Sequence, residues 1–319
     1  MISSLQLAKI CGVSQGTVDR ALHDRGGISP RTRKLILDAA EKHGYLANPA
    51  ARELMTGRSC WVGAVLPSMT SPFFSDLFEA IRESLALEGL RLLWTSASSD
   101  GEVIEVLSDF AARRARAAIV VPPDSSLDIP ANIAKSMHVF CLINPISSKN
   151  VSILYPDEVM TGYTGAEYLY SKGHRRILYM NYSRKSQANI DRLNGYLSFM
   201  EKKNLKPEVM SPFIPEELIS ECRSGKGPTA IFCHNDWLAL KVIRTLEAAG
   251  LRVPGDISVL GVDNSPSFNA FCSNMSTLEY PYAQIAKAVA DSVSSGRRIR
   301  KQSFKPFKII ERETVGKKE

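Results

Sequence analysis

At 319 residues the chain has room for two or three domains, and its 44% hydrophobic and 23% charged residues are ordinary for a globular protein. A net charge of +7 suits an anionic partner, and the excess is local, because residues 1–58 hold nine Lys/Arg against five acids. No run reaches the roughly 18 apolar residues of a membrane span, and no charged start precedes a long apolar stretch. Neither a span nor a secretory signal is expected, which fits a cytoplasmic protein without a membrane partner.

The chain opens on two short helices. Leu5, Ala8 and Ile10 are expected on the inner face of the first, Gly12 ends it, Val13 plugs the turn, and Ser14 caps the second. Val18, Ala21 and Leu22 then recur at i, i+3, i+4, leaving Gln15, Gly16, Thr17, Asp19, Arg20 and His23 on a polar front. An apolar back with a polar, partly basic front suits a recognition helix in a major groove, and on these residues alone a plain surface pair fits equally. A third helix starts at Ser29-Pro30, runs through Leu35, Ile36, Ala39 and Ala40, and ends at Gly44. Asn48-Pro49 to Gly57 allows a two-turn helix, too short to be stable alone, so it is either a linker or a hinge that folds on a partner.

From Cys60 the pattern alternates strand and helix. Strands are predicted over 61–66, 90–94, 117–121, 139–143 and 151–154, with helices over 77–87, 102–114 and 128–136 between them. A second series follows, with helices over 158–172, 191–203, 215–224 and 236–249 and strands over 177–180, 209–214, 229–233 and 257–262. A helix near 280–295 and a last strand near 304–310 would return across both. Such alternation means parallel sheets with helices on both faces, built by right-handed crossovers, and two series mean two lobes. Ligands in such sheets sit at the carboxyl ends of the strands.

The six cysteines are scattered, none lies in a C-x-x-C pair or near a histidine at ligand spacing, and reduced thiols without zinc are expected. Gly12-Val-Ser-Gln-Gly16 matches the G-x-S-x-G nucleophile elbow, which needs a preceding strand where a helix is predicted here. No phosphate-cradling glycine loop follows any strand, so neither an enzyme nor a cofactor is expected. Packing and helix C-terminal charge account for His174 and Arg175, and the basic run Arg297–Lys301 reads as a solvated loop.

Many ordered strings resemble the LacI/GalR family of bacterial transcriptional regulators over essentially the whole chain. They include Leu7-Ala8, Gly12-Val13-Ser14, Thr17-Val18, Arg20 and Leu22, then Gly44-Tyr45 and Asn48 to Leu54, then Ser71-Pro72-Phe73-Phe74. Asp157, Gly173-His174-Arg175-Arg176-Ile177, Arg192 with Gly195-Tyr196, Asn235-Asp236, Val253-Pro254 and Gly261-Val262-Asp263-Asn264 follow in order. The resemblance implies an all-α helix-turn-helix headpiece (1–46), a hinge (47–58) and a periplasmic-binding-protein-like α/β core (59–319) of two doubly wound parallel-sheet lobes. The first lobe would take about 60–156 and 280–300, the second 157–279 and 301–315.

By the same resemblance the protein is a homodimer reading a pseudo-palindromic double-stranded operator. Arg20 would read guanine, Gln15 and Gly16 would face bases, and Ser14, Thr17 and His23 would touch phosphates. Asn48, Arg52 and Leu54 of the hinge would meet DNA, Leu54 as a minor-groove wedge. Asp19 departs from the usual serine and is repulsive near phosphate unless it accepts from cytosine or pairs with Arg20. Glu53 adds an acid to the hinge. A small effector, a sugar in most of the family and a purine, phosphosugar or protein in some members, would bind between the lobes. Ser71, Phe73, Phe74, Asp157, Arg192, Asn235 and Asp263 are the implied contacts, with Phe73 or Phe74 stacking and Arg192, Asp263, Asp157 and Asn235 bonding hydroxyls. Core packing of the two phenylalanines and turn or helix capping by Asp263 and Asp236 are the plainer alternatives. A transport-type sugar receptor shares the architecture, but residues 1–58 argue against it.

Overall fold

The computed structural model describes residues 2–22, 24–45, 59–68, 70–123, 125–181, 186–304 and 308–318. The chain divides into two compact units, Met1–Arg58 and Ser59–Glu319.

The first unit is three helices: α1 (Ser4–Cys11), α2 (Gln15–Leu22) and α3 (Pro30–Lys42). Ser3 and Gln6 cap α1 reciprocally, the Ser3 hydroxyl accepting from the Gln6 amide at 3.2 Å and the Gln6 side chain from the Ser3 amide at 2.8 Å. Gly12 takes φ 64° and closes α1, and the Ser14 hydroxyl accepts from the Thr17 amide at 3.1 Å to start α2. The core is Leu7, Ala8, Val18, Ala21, Ile36 and Ala40, with Val13 and Leu22 packed against it. Leu5 and Ile10, expected inside, are about half exposed at 54% and 49%. The inward face is the Leu7–Cys11 row at i, i+4 with Ala8 beside it, so α1 is rotated from the expected phase. The Asn48–Gly57 hinge expectation lies outside the described residues.

The second unit holds two six-stranded sheets. The first lobe's sheet has the order β11-β5-β4-β3-β1-β2, all parallel, from β1 (Trp61–Leu66), β2 (Arg91–Ser96), β3 (Ala117–Val120), β4 (His138–Leu142), β5 (Ser152–Pro156) and β11 (Lys301–Phe304). The second lobe's sheet has the order β12-β10-β9-β8-β6-β7, from β6 (Ile177–Met180), β7 (Glu208–Met210), β8 (Ala230–Cys233), β9 (Ser258–Asp263), β10 (Thr277–Glu279) and β12 (Ile309–Ile310). Its outer β12 alone runs antiparallel. Strands buried on both faces, such as Ala117–Val120 and Ile177–Met180, are continuous apolar runs because helices cover each side.

The first-lobe helices are α4 (Pro72–Leu87), α5 (Asp100–Ala112), α6 (Ala131–Ser136) and α12 (Tyr282–Ser295), which packs on α4. The second-lobe helices are α7 (Glu158–Ser171), α8 (Gln187–Lys202), α9 (Pro215–Arg223), α10 (Asp236–Ala248) and the single turn α11 (Pro266–Asn269). Residues 301–315 were expected together in the second lobe. Lys301–Phe304 instead pairs with β5 in the first, while Ile309–Ile310 joins the second on β10 and residues 312–314 bond there to Val259, Asn274, Met275 and Ser276. The one predicted last strand is therefore two short ones. The strand at 277–279 and the turn at 266–269 carry too few residues for a periodic signal and were not anticipated.

All six cysteines are thiols, and burial pushes Cys141 up to about 12. His174 is buried between the Thr229 hydroxyl (3.0 Å) and the Gly316 carbonyl (3.1 Å), a packing role as expected. Arg298 of the basic run donates to the carbonyls of Ala134 and Asn150 at 3.2 and 3.1 Å.

Candidate functional site

The headpiece front is set by how α2 is held. The Gln15 amide donates to the Ser4 hydroxyl at 2.8 Å, and the hydroxyls of Ser14 and Thr17 share a 2.8 Å hydrogen bond. Gly16 is exposed, with room for a close approach to its backbone. Asp19 pairs with Arg25 at 3.0 Å. Arg25 in turn gives its carbonyl to Arg33 at 2.7 Å. The extra acid is thus partly neutralised by a cation of the following loop, and Arg20 projects exposed from the same helix. His23, Asn48, Arg52 and Leu54 lie outside the described residues.

Helix N-termini and strand ends of the two lobes meet around Phe73, Asp76, Ser265 and Tyr280. On the first-lobe side, Ser71 precedes α4, whose first turns carry Phe73, Phe74 and Asp76. Phe73 meets Tyr280 edge to face at 4.7 Å and Phe74 at 5.3 Å, with Tyr282 at 5.8 Å. Both phenylalanines are half-buried, so each keeps an accessible part while packing on the core. Asp76 reaches the other lobe. Its carboxylate accepts from the hydroxyls of Ser265 and Ser267, and from the Ser267 amide at 3.2 Å.

On the second-lobe side the central group is Arg192 of α8. Its Nε and Nη2 lie 2.7 and 2.6 Å from one Glu158 oxygen, its Nη1 donates to the His234 carbonyl, and both side chains are 4% exposed. Burial raises Glu158 and the guanidinium opposes that, while Arg192 keeps its charge because a guanidinium does not deprotonate in proteins. The approach is permitted by small residues. A Cβ on Gly162 of α7 would strike the Arg192 carbonyl, and one on Gly195 of α8 the Val159 carbonyl. Glu158 was not singled out in the sequence; its place at the first position of α7, next to the capping Asp157, is the only local hint.

Asp263 closes β9 at φ 122°, a backbone conformation that L-residues rarely adopt. It is 6% exposed, and its carboxylate makes no hydrogen bond among the described residues. Burial, and then the neighbouring Asp236, push it well above the ordinary carboxylate range. Asp236 accepts from the Thr277 hydroxyl at 2.6 Å and from the amides of Asn264 and Ser265; burial carries it up to about 7. His234 is held neutral by burial and by Arg192.

Two expected contacts serve the fold. The Asp157 carboxylate caps α7, accepting from the Met160 amide at 3.0 Å, and the Asn235 side chain caps α10, accepting from the Leu238 amide at 3.0 Å. Both still sit at helix N-termini on the rim. The helix-cap alternative given for Asp236 is carried by Asn235, with Asp236 the first helical residue. No group among the described residues could hold a metal ion, and none of their helices is long and apolar enough to cross a membrane.

Residues 6–48 match the family of bacterial regulatory proteins, lacI family, and residues 166–315 a periplasmic binding protein-like domain. The transcriptional repressor PurR of Pasteurella multocida is 27% identical over 302 residues, covering 91% of this chain and 90% of its own. The NTD biosynthesis operon regulator NtdR of Bacillus subtilis is 24% identical and covers 97% and 98%. Among solved structures, the Lac repressor bound to ONPG superposes with a TM-score of 0.80 at 20% identity over 98% of this chain and 99% of that one. A regulator from Enterococcus faecium with bound ribose gives 0.66 at 20% identity over 81% and 100%. These curated relatives are transcriptional regulators, not enzymes.

Proposed function

The chain belongs to the LacI family of bacterial regulatory proteins, and we propose that it is a repressor binding a pseudo-palindromic operator as a homodimer and switched by a sugar held between its lobes. One observation carries the proposal: α2 with its polar front and the cleft of Arg192, Asp263 and Phe73 belong to a single chain. Arg20 reads a base edge, Gln15 and Gly16 pack on neighbouring bases, Ser14, Thr17 and His23 set the register on phosphates, and Asn48, Arg52 and Leu54 act in the minor groove. The chain divides by role into a headpiece (1–46), a hinge (47–58) and a ligand-binding and dimerising core (59–319). Strand β2 at the edge of the first sheet carries Leu93 and Trp94 half exposed (50% and 53%), an apolar edge that a self-complementary contact would cover.

Ligand binding changes lobe closure and so the spacing of the two hinges, and linkage requires operator and ligand to alter each other's affinity by one factor. The test is a thermal-shift screen of sugars, phosphosugars and purines on the full chain, followed by operator binding at fixed salt. A hit that shifts operator affinity and is lost in Asp263→Asn supports the switch. A hit that survives both Asp263→Asn and Phe73→Ala places the ligand elsewhere. A protein that binds no operator-like duplex under any ligand refutes the repressor itself.

A further inference from the structure

If the effector binds at the site proposed above, the charges there narrow what it can be. Among the described residues, the buried cation against that site is Arg192, which is already matched by Glu158 at 2.6 Å and also donates to the His234 carbonyl. Its guanidinium is therefore committed twice before any ligand arrives. His234 is neutral, Asp236 at the start of α10 and Asp76 of α4 both bear on Asp263 at the end of β9, and Arg312, which bears on Asp236, is bonded to the Met275 carbonyl and the Asn264 side chain. A phosphate or carboxylate entering here would meet three carboxyl groups and no uncommitted cation from these elements.

The acids differ in what they hold. Asp76 is spent on Ser265 and Ser267, and Asp236 on Thr277 and two backbone amides. The Asp263 carboxylate accepts from nothing among the described residues, although the residue is only 6% exposed. A second, independent feature points the same way. The Tyr282 hydroxyl is buried with no hydrogen-bond partner among the described residues, on a ring that packs with Phe73 and Tyr280 at 5.8 and 4.9 Å. Asp263, Asp236 and Asp76 are the charges that bear on that hydroxyl. A lone buried carboxylate and a lone buried phenol beside a cluster of aromatic rings match an ammonium group. It has three donors and no acceptor, gains from the carboxylate's charge, can donate to the phenol oxygen, and is attracted to aromatic faces.

We propose that the effector is a cation: a small polyhydroxylated amine, such as an amino sugar, whose ammonium lies against Asp263 and the Tyr282 hydroxyl. Neutral sugars lose the ion pair, and phosphosugars and carboxylates are repelled. Glu158 is the specificity-determining residue, because it cancels the charge that Arg192 would otherwise offer to an anion.

The test uses the full chain and matched probes: glucose, glucosamine and glucose 6-phosphate, with the corresponding galacto and manno sets. Binding is read by titration calorimetry near neutral pH, with operator affinity measured in parallel. In at least one set the amine should bind tenfold or more tighter than the parent sugar, with the phosphate weakest. Asp263→Asn, which cannot supply the negative charge that an ammonium would stabilise, should bring amine and parent within threefold of each other. Glu158→Gln should raise phosphate binding relative to the amine. The proposal falls if no amine binds, if a neutral or phosphorylated probe binds as tightly, or if the amine preference survives Asp263→Asn. A neutral sugar whose binding depends on Asp263 and shifts operator affinity would sink the cation alone and leave the effector cleft standing. An amine that binds without moving operator affinity would sink the switch instead.

Discussion

Replacing Arg192 with Met tests whether the buried ion pair is the structural centre of the cleft. The guanidinium and Glu158 are each 4% exposed and in contact at 2.6 Å, so the variant leaves a carboxylate buried without its cation. Breaking a buried pair in this way costs about 3–5 kcal/mol, and at roughly 2–4 °C per kcal/mol for a unit of this size the core transition should fall by on the order of 10 °C. The loss should also depend on pH. Burial raises Glu158, and removing Arg192 takes away what opposes that. A carboxyl whose folded pKa exceeds its unfolded value of about 4.3 keeps a proton in the folded state, so stability drops as pH rises, by up to about 1.4 kcal/mol per unit. The variant should therefore be nearly tolerable around pH 5 and badly destabilised around pH 8. Arg192→Met combined with Glu158→Leu should regain most of the loss, since apolar groups can replace a buried pair at little cost. Melting of the full chain at both pH values checks this. A loss below about 1 kcal/mol, a loss independent of pH, or a double variant no better than the single one would refute the pairing as drawn.

Arg20→Ala should weaken binding to a selected operator by about 1–3 kcal/mol and relax specificity at one base pair, leaving nonspecific DNA affinity much less affected; competition binding at fixed salt reads both. Asp76→Ala removes three hydrogen bonds between the lobes. With Ser267 exposed, a net loss of roughly 2 kcal/mol is expected, enough to move the open–closed balance by about thirtyfold. Small-angle scattering should show a larger radius of gyration, and an unchanged profile would count against Asp76 as a clasp. Gly162→Ala forces a methyl group onto the Arg192 carbonyl and should cost about 1–3 kcal/mol in the melt, unlike an alanine at exposed Gly101, where nothing lies near. Asp236, raised by burial to about 7, gives a pH signature in the wild type. Below an unfolded value of about 3.9 both states are protonated; between there and about 7 only the folded state holds the proton, so stability falls as pH rises through that window. Thr277, the Asn264 and Ser265 amides and Arg312 pull the other way, and Asp263 adds to the rise through mutual repulsion, so Asp263→Asn should flatten the slope measured by melting.

What could be read in advance followed from how many residues reported on each feature. The two lobes were legible because largely buried strands such as Trp61–Leu66 and Ser258–Asp263 are near-continuous apolar runs separated by amphipathic helices. The assignment of 301–315 to one lobe failed because four residues, Lys301–Phe304, carry no pattern that could say which sheet edge they join; pairing with β5 decides it. On α1, choosing Leu5 and Ile10 over Leu7 as inward was a phase error that eight residues are too few to correct. In the cleft, Arg192 and Asp263 were visible as polar residues in strongly matching strings, and both are buried there. Glu158 was invisible. Its importance comes from α7 and α8 packing closely at Gly162 and Gly195, a contact between residues about thirty positions apart. Asp157 and Asn235 sat in equally good strings and cap helices, so a matching string does not by itself separate a group free to meet a ligand from one that builds the wall.

That separation can be made on energetic grounds. Burying a polar group is tolerable when its hydrogen bonds are met, and a fold selected for stability alone meets them or replaces the group. Glu158 is met by Arg192, Asp236 by Thr277 and two amides, and Asp76 by two serines. Asp263 is the exception. It is as buried as the others, its backbone sits at φ 122° where glycine would rest more easily, and a second acid beside it raises the cost of its charge. Exchange for asparagine would remove the capacity for charge with almost no change of shape. A residue that keeps an unpaired carboxyl group, its charge disfavoured, in an unfavourable conformation at the carboxyl end of a central strand is explained if the missing partner is supplied by a ligand. The stability lost at Asp263 is then what makes binding there favourable, and Asp263→Asn should stabilise the ligand-free protein while abolishing the response to the effector.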